Sequence, residues 1–114
     1  MSLIEPKAEL SAVIRQQGVV AGHLASLLGG GWQFKYHDSY IGPPVSLTLP
    51  VQSSPYGFAE FPAVFEGLLP EGPQLEALLR RHKIDRHDTF RLLVTVGRDL
   101  VGSLTVEEAS PPHS

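Results

Sequence analysis

His82, Asp85, His87 and Asp88 are the densest set of metal-ligand side chains in the chain. Zinc or another divalent ion needs three or four such groups converging on one point. Here they span a helix end, a turn and the next helix start, a spacing that does not by itself bring them together. Each also has an ordinary role. His82 complements a helix C-terminus, Asp85 or Asp88 caps the following helix, and His87 is solvated. No metal site is expected.

The other chemistry-bearing patterns are weaker. Gly29-Gly30-Gly31 is glycine-rich, but no Lys-Ser/Thr follows and it leads into a strand, where a phosphate cradle needs a helix start. It reads as a hairpin loop, and no cofactor is implied. There is no Gly-x-Ser-x-Gly elbow, and Ser39, Ser46, Ser53, Ser54 and Ser103 all stand where turn or strand roles suffice. Glu60, Glu66 and Glu71 surround one short apolar stretch, with nothing to set two of them on one substrate atom. The expectation is a chain with no catalytic residues of its own. Arg80, Arg81, Lys83, Arg86, Arg91 and Arg98 make a locally basic segment of the kind that contacts phosphates. Asp85, Asp88 and Asp99 interleave with them, and no recognition helix accompanies them, so a solvated face is the better reading. No direct nucleic-acid binding is expected. Trp32, Tyr36, Tyr40, Tyr56 and Phe58 are a large aromatic set for a small chain. Most must build the core, but Tyr40, Tyr56 and Phe58 fall in expected loops, where aromatics anchor partners.

The chain that must position these residues has 114 of them, 42% hydrophobic, with net charge −3 and pI near 5.9. That is one domain's worth of chain. It carries no global basic field for nucleic acid or anionic membrane. With no cysteine, disulfides and thiol chemistry are excluded. No signal-like start and no membrane span is read, which leads to the expectation of a cytoplasmic domain.

Hydrophobic periodicity orders the elements. Leu10 to Arg15 and Val19 to Leu24 read as strands joined by a Gln16-Gln17-Gly18 turn. Trp32, Phe34 and Tyr36 alternate as a third strand, and Val45 to Leu49 as a fourth. Phe61, Val64, Phe65, Leu68 and Leu69 form the stripe of a core-packing helix, which Pro70 stops. Glu71-Gly72-Pro73 then makes a stiff acidic corner. A second helix starts at Pro73 with Leu75, Leu78 and Leu79 as its apolar stripe. A third starts after Asp88, buries Phe90, Leu93 and Val94, and ends at Gly97 as its C′ residue. Leu100 to Val106 alternates as a last strand, expected to pair with one of the first three. The order β-β-β-β-α-α-α-β gives an α+β fold, a small curled antiparallel sheet of about five strands packed with two to three short helices. Residues 1–9 read as a flexible start, 10–106 as the domain and 107–114 as a disordered tail.

Two runs now carry a resemblance. Phe65-Glu66-Gly67-Leu68-Leu69-Pro70-Glu71-Gly72 is similar to the signature of the N-terminal subdomain of HipA-like serine/threonine kinase toxins. So is the run from Phe90 to Leu104, together with Phe34-Lys35-Tyr36 and Ser46-Leu47-Thr48-Leu49-Pro50. The resemblance spans roughly Leu10 to Val106. It implies a subdomain that precedes a kinase domain in toxins acting with a helix-turn-helix antitoxin on DNA. The kinase would begin where this chain ends. No catalytic Asp loop, metal-binding Asp motif or ATP-gripping loop is present, so none of the family's catalytic residues has a position here. A free-standing copy resembles the small HipS-like antitoxin of split, three-gene HipBST-type systems. The resemblance implies a non-enzymatic regulatory subunit that binds and restrains a separately encoded HipA-like kinase, with a helix-turn-helix antitoxin as a further member of the complex. The contacting residues are expected at Tyr56, Phe58, Glu66, Pro70, Glu71 and Gly72. Two alternatives stay open: an N-terminal fragment of a full kinase, and a scaffold in a DNA-bound kinase–antitoxin complex.

Overall fold

The structure, a computed structural model, describes residues 10–97, 100 and 103–109. Five strands form one antiparallel sheet in the order β4-β3-β2-β1-β5. They are β1 (Ser11–Gln16), β2 (Val19–Ser26), β3 (Trp32–Tyr36), β4 (Tyr56–Phe58) and β5 (Leu104–Glu108). Three helices lie between β4 and β5 in the chain: α1 (Ala63–Glu66), α2 (Pro73–His82) and α3 (Thr89–Val96). The α+β class and the element order are those expected from the sequence.

Period-two alternation makes the sheet two-faced. Ala12, Ile14, Leu24, Phe34, Tyr36, Leu104 and Val106 are buried on one face, while Arg15, His23, Lys35 and Glu107 stay toward solvent on the other. Gln17 and Gly18, both at positive φ, close the β1–β2 hairpin in the conformation that matches strand twist. An irregularity between Ile14 and Arg15 leaves Ala21 unmatched, and its carbonyl accepts from the His37 N–H at 2.8 Å. The last strand returns to pair with β1, Ile14 opposite Val106.

Helices α1 and α3 cover the apolar face. Phe65 of α1 meets Phe34 at 5.4 Å between ring centroids, and Phe90 of α3 stacks on Trp32 at 5.7 Å. Asp88 is the α3 N-cap, accepting from the Arg91 N–H at 3.2 Å, as its position predicted.

Four local expectations are corrected. Residues 45–49 are not the fourth strand. They form a tight turn between Pro44 and Pro50, with the Leu49 N–H bonded to the Ser46 carbonyl at 3.0 Å and the Ser46 hydroxyl bridging to Thr48. Ser and Thr side chains that bond nearby backbone compete with a ladder, and the prolines limit pairing on both sides. The fourth strand is instead Tyr56–Phe58, expected as loop; its Tyr56 and Phe58 pair with Phe34 and Trp32. The helix over Phe61–Leu69 shortens to one α turn, continued by i→i+3 bonds from Leu68 to Phe65 and Leu69 to Glu66. Its stripe still packs, with Phe65 buried and Phe61, Val64, Leu68 and Leu69 half-buried against the core. Gly97 is right-handed, with φ −58°, so it is not a left-handed C′ residue. β5 begins at Leu104 and includes Glu107 and Glu108, which the sequence reading gave to the tail. The flexible start at 1–9, and 110–114 of the tail, lie outside the described residues.

Candidate functional site

The corner between α1 and α2 is built from residues with little freedom. Pro62 precedes α1, Pro70 ends its extension, and Pro73 opens α2. Gly72 between them has φ 65° and ψ −140°, a conformation that a side chain makes costly. Glu66 and Glu71 are exposed here and enter no ion pair among the described residues.

α2 is amphipathic but buries no residue. Its leucines at 75, 78 and 79 are only half-buried. The half-buried side chains that pack on the central core include Leu68, Leu69, Val94 and Leu100, and none from α2. The helix therefore stands off from the body and leaves a groove of about 720 Å³. Leu68, Leu69 and Pro70 form its near wall, Ala77 and Leu78 its α2 side, and Thr95 and Val96 its α3 side. Arg81 and His82 stand at the end where α2 finishes. Arg86 reaches back to Glu76 at 2.5 Å and ties the following loop to α2. Arg80, Arg81 and Lys83 make no ion pair among the described residues.

The expected contact residues separate into two groups. Glu66, Pro70, Glu71 and Gly72 cluster at the corner. Tyr56 and Phe58 lie on β4 with their side chains packed against the core, and the Tyr56 hydroxyl donates to the Pro50 carbonyl at 2.5 Å. Tyr40, also expected in a loop as an anchor, is buried against Tyr36, with ring centroids 5.8 Å apart. Sequence reasoning passed over Ala77, Leu78, Thr95 and Val96 as groove walls. It also missed Ile41 and Leu47, which are 96% and 93% exposed. Helical leucine spacing in α2 was visible, but whether the stripe is used up by the core is a tertiary fact.

The histidine and aspartate cluster has local roles. The Asp85 carboxylate accepts from the His87 N–H at 2.7 Å, which lowers its pKa below the ordinary carboxylate value, and Asp88 caps α3. Among the described residues no three His, Asp or Glu converge as a metal site would require. Asp38 is held low by a hydrogen bond from the Lys35 ammonium at 2.9 Å. Burial pushes the Tyr36 phenol up; its hydroxyl donates to the Leu49 carbonyl and accepts from the Val45 N–H at 2.9 Å. No described helix is long and apolar enough to cross a membrane.

Comparison with known proteins agrees with this architecture. The HipA N-terminal domain family matches residues 12–107. An uncharacterized protein of Haemophilus influenzae is 32% identical over 78 residues, 68% of this chain and 74% of that protein. A Sinorhizobium fredii protein named "Putative kinase Y4dM" is 33% identical over 104 residues, which are 82% of this chain but only 25% of that protein. A solved N-terminal domain of HipA toxin superposes with a TM-score of 0.69 at 25% identity, covering 96% of this chain and 98% of the other. The family match runs over nearly the whole described domain, and the fold superposes on a solved member along almost its full length: the chain belongs to the HipA N-terminal domain family.

Proposed function

We propose that this chain is a non-catalytic regulatory subunit, an antitoxin, that binds and restrains a separately encoded HipA-like serine/threonine kinase. The observation that carries this reading is the family match over residues 12–107 taken with the Haemophilus relative, most of whose length the match covers. A relative 74% of which this match covers supports a domain that works as its own polypeptide. The likeness to the N-terminal domain of HipA toxin supports a toxin–antitoxin setting.

The mechanism proposed is steric. The domain docks beside the kinase active site and limits substrate entry or closure, a step on which many kinases depend. The α1–α2 corner suits this role because its prolines fix the chain before binding, so little ordering entropy is lost. A helix-turn-helix antitoxin joins the complex through the kinase, and the assembly works in the cytoplasm. Co-expression with a neighbouring HipA-like kinase tests the reading. Co-purification and rescued growth are expected; a kinase that neither co-purifies nor is restrained refutes it.

A second reading has one observation in its favour. The match to "Putative kinase Y4dM" covers a quarter of that protein, so the same domain also occurs within a longer chain. Under that reading the domain acts in cis as part of a kinase. Neighbouring genes separate the two, since the split arrangement requires an adjacent kinase lacking this domain.

A further inference from the structure

We propose that the groove between α2, α3 and the α1–α2 corner receives an apolar segment of the kinase that carries a carboxylate, seated against Arg81 and His82. This deepens the antitoxin reading and rests on it. Three features point to such an occupant. First, Leu78 of the amphipathic α2 lines the groove half-buried, with exposed Ala77 beside it, and neither packs on the central core. Second, Leu68, Leu69, Leu78 and Val96 give the walls an aliphatic strip, with Gln74 and Thr95 as polar groups beside it. Third, charge is distributed along the groove. Arg81 and His82 line the end where α2 stops, with Arg80 and Lys83 beside them. Glu71 follows Pro70 at the other end. The ten residues of α2 set the groove length at about 15 Å, from the helical rise. That accommodates two to three turns of an apolar helix or a short extended stretch, in the manner of helix-in-groove recognition. The Arg81 guanidinium, which enters no ion pair among the described residues, offers its planar fork to the carboxylate, and the charge layout sets the segment's direction.

Kinase affinity measured for wild type and for two substitutions tests the assignment. Ala77 is exposed, so Ala77→Trp fills the groove without touching the core. Arg81→Glu puts like charges face to face. Ile41→Ser, on an exposed loop outside the groove, is the control. All are compared by thermal melting to confirm folding. Ala77→Trp and Arg81→Glu are expected to weaken binding by about tenfold or more, while Ile41→Ser binds as wild type. If wild type binds and both groove variants bind equally well, the groove assignment falls and the antitoxin reading stands. If wild type binds no kinase, both fall. If wild type self-associates and Ala77→Trp disperses it, the occupant is a second copy and the kinase assignment is overturned.

Discussion

The Val106 N–H donates to the Gly97 carbonyl at 3.0 Å, so the end of α3 closes onto β5 on the side away from β1. An open sheet leaves donors and acceptors free along its edge strands, and such edges invite pairing with other chains. Here one edge is met at Val106 by the protein's own helix end. The opposite edge, β4, is only three residues long and follows Pro55. A Cβ at Gly97 would overlap the Val106 carbonyl oxygen. Gly97→Ala must therefore push α3 and β5 apart, and the expected loss is about 1–3 kcal/mol, typical of overpacking. Urea denaturation measures it; an unchanged midpoint would show that the contact is not needed.

Among the described residues Gln16 is the one buried amide or charged side chain, and it joins three parts of the chain. Its Nε2 donates to the carbonyls of Pro43 and Pro44, each at 3.0 Å, and its Oε1 accepts from the Ser103 hydroxyl at 2.9 Å. Gln16→Leu keeps the volume but strands these partners. A destabilisation of about 1–3 kcal/mol is expected for the unpaired groups. Ser103→Ala should cost less, because Ser103 is exposed and water can replace it at Oε1. Combining the two should cost less than their sum, which a double-mutant cycle reads directly.

These two residues show where sequence reading stops. Alternation placed β1, β2 and β3 because each strand presents one apolar face over several residues. Val45–Leu49 alternates just as well, yet its serine and threonine bond the local backbone between two prolines, and the turn wins. Tyr56–Phe58 is too short for a period to register, and only pairing with β3 makes it a strand. Gly97 was visible as a helix end, but its reason, the approach of Val106, is a contact between segments. At the candidate site, proline and glycine spacing made the corner legible. The groove beside it was not, because nothing local to α2 says that its leucines lack a full set of neighbours.

His23 lies on the solvent side of β2, opposite Val13 on β1 and Lys35 on β3. Partial shielding from water by its strand neighbours lowers its pKa below 6.5, and the neighbouring His37 lowers it further. The folded protein therefore resists a proton that the unfolded chain accepts. Stability from this residue is fully present above the unfolded value of about 6.5 and is lost as pH falls below it. His23→Gln should flatten that part of the pH dependence, with wild type and variant compared by urea denaturation at neutral and mildly acidic pH. NMR titration of the His23 ring should show a midpoint below 6.5; a midpoint at or above it would contradict the assignment.

Glu66 and Glu71 flank the proline-bounded corner, exposed and free of ion pairs among the described residues. Neither packs on the core, so changing them should leave stability within about 0.5 kcal/mol of wild type, as for surface sites generally. If the corner meets the kinase, their charges act at the rim of the interface. Rim charges steer encounter and alter the salt dependence of binding more than they alter the final contacts. The double substitution Glu66→Gln with Glu71→Gln is therefore expected to slow association several-fold while dissociation changes little. The difference from wild type should shrink as salt is raised, because exposed charges are screened beyond about 10 Å at 0.1 M ionic strength. Stopped-flow or surface-based kinetics at two salt concentrations separates the rates. Unchanged association at low salt, with the variant still folded, would remove the corner carboxylates from the interface and leave the apolar groove to account for binding.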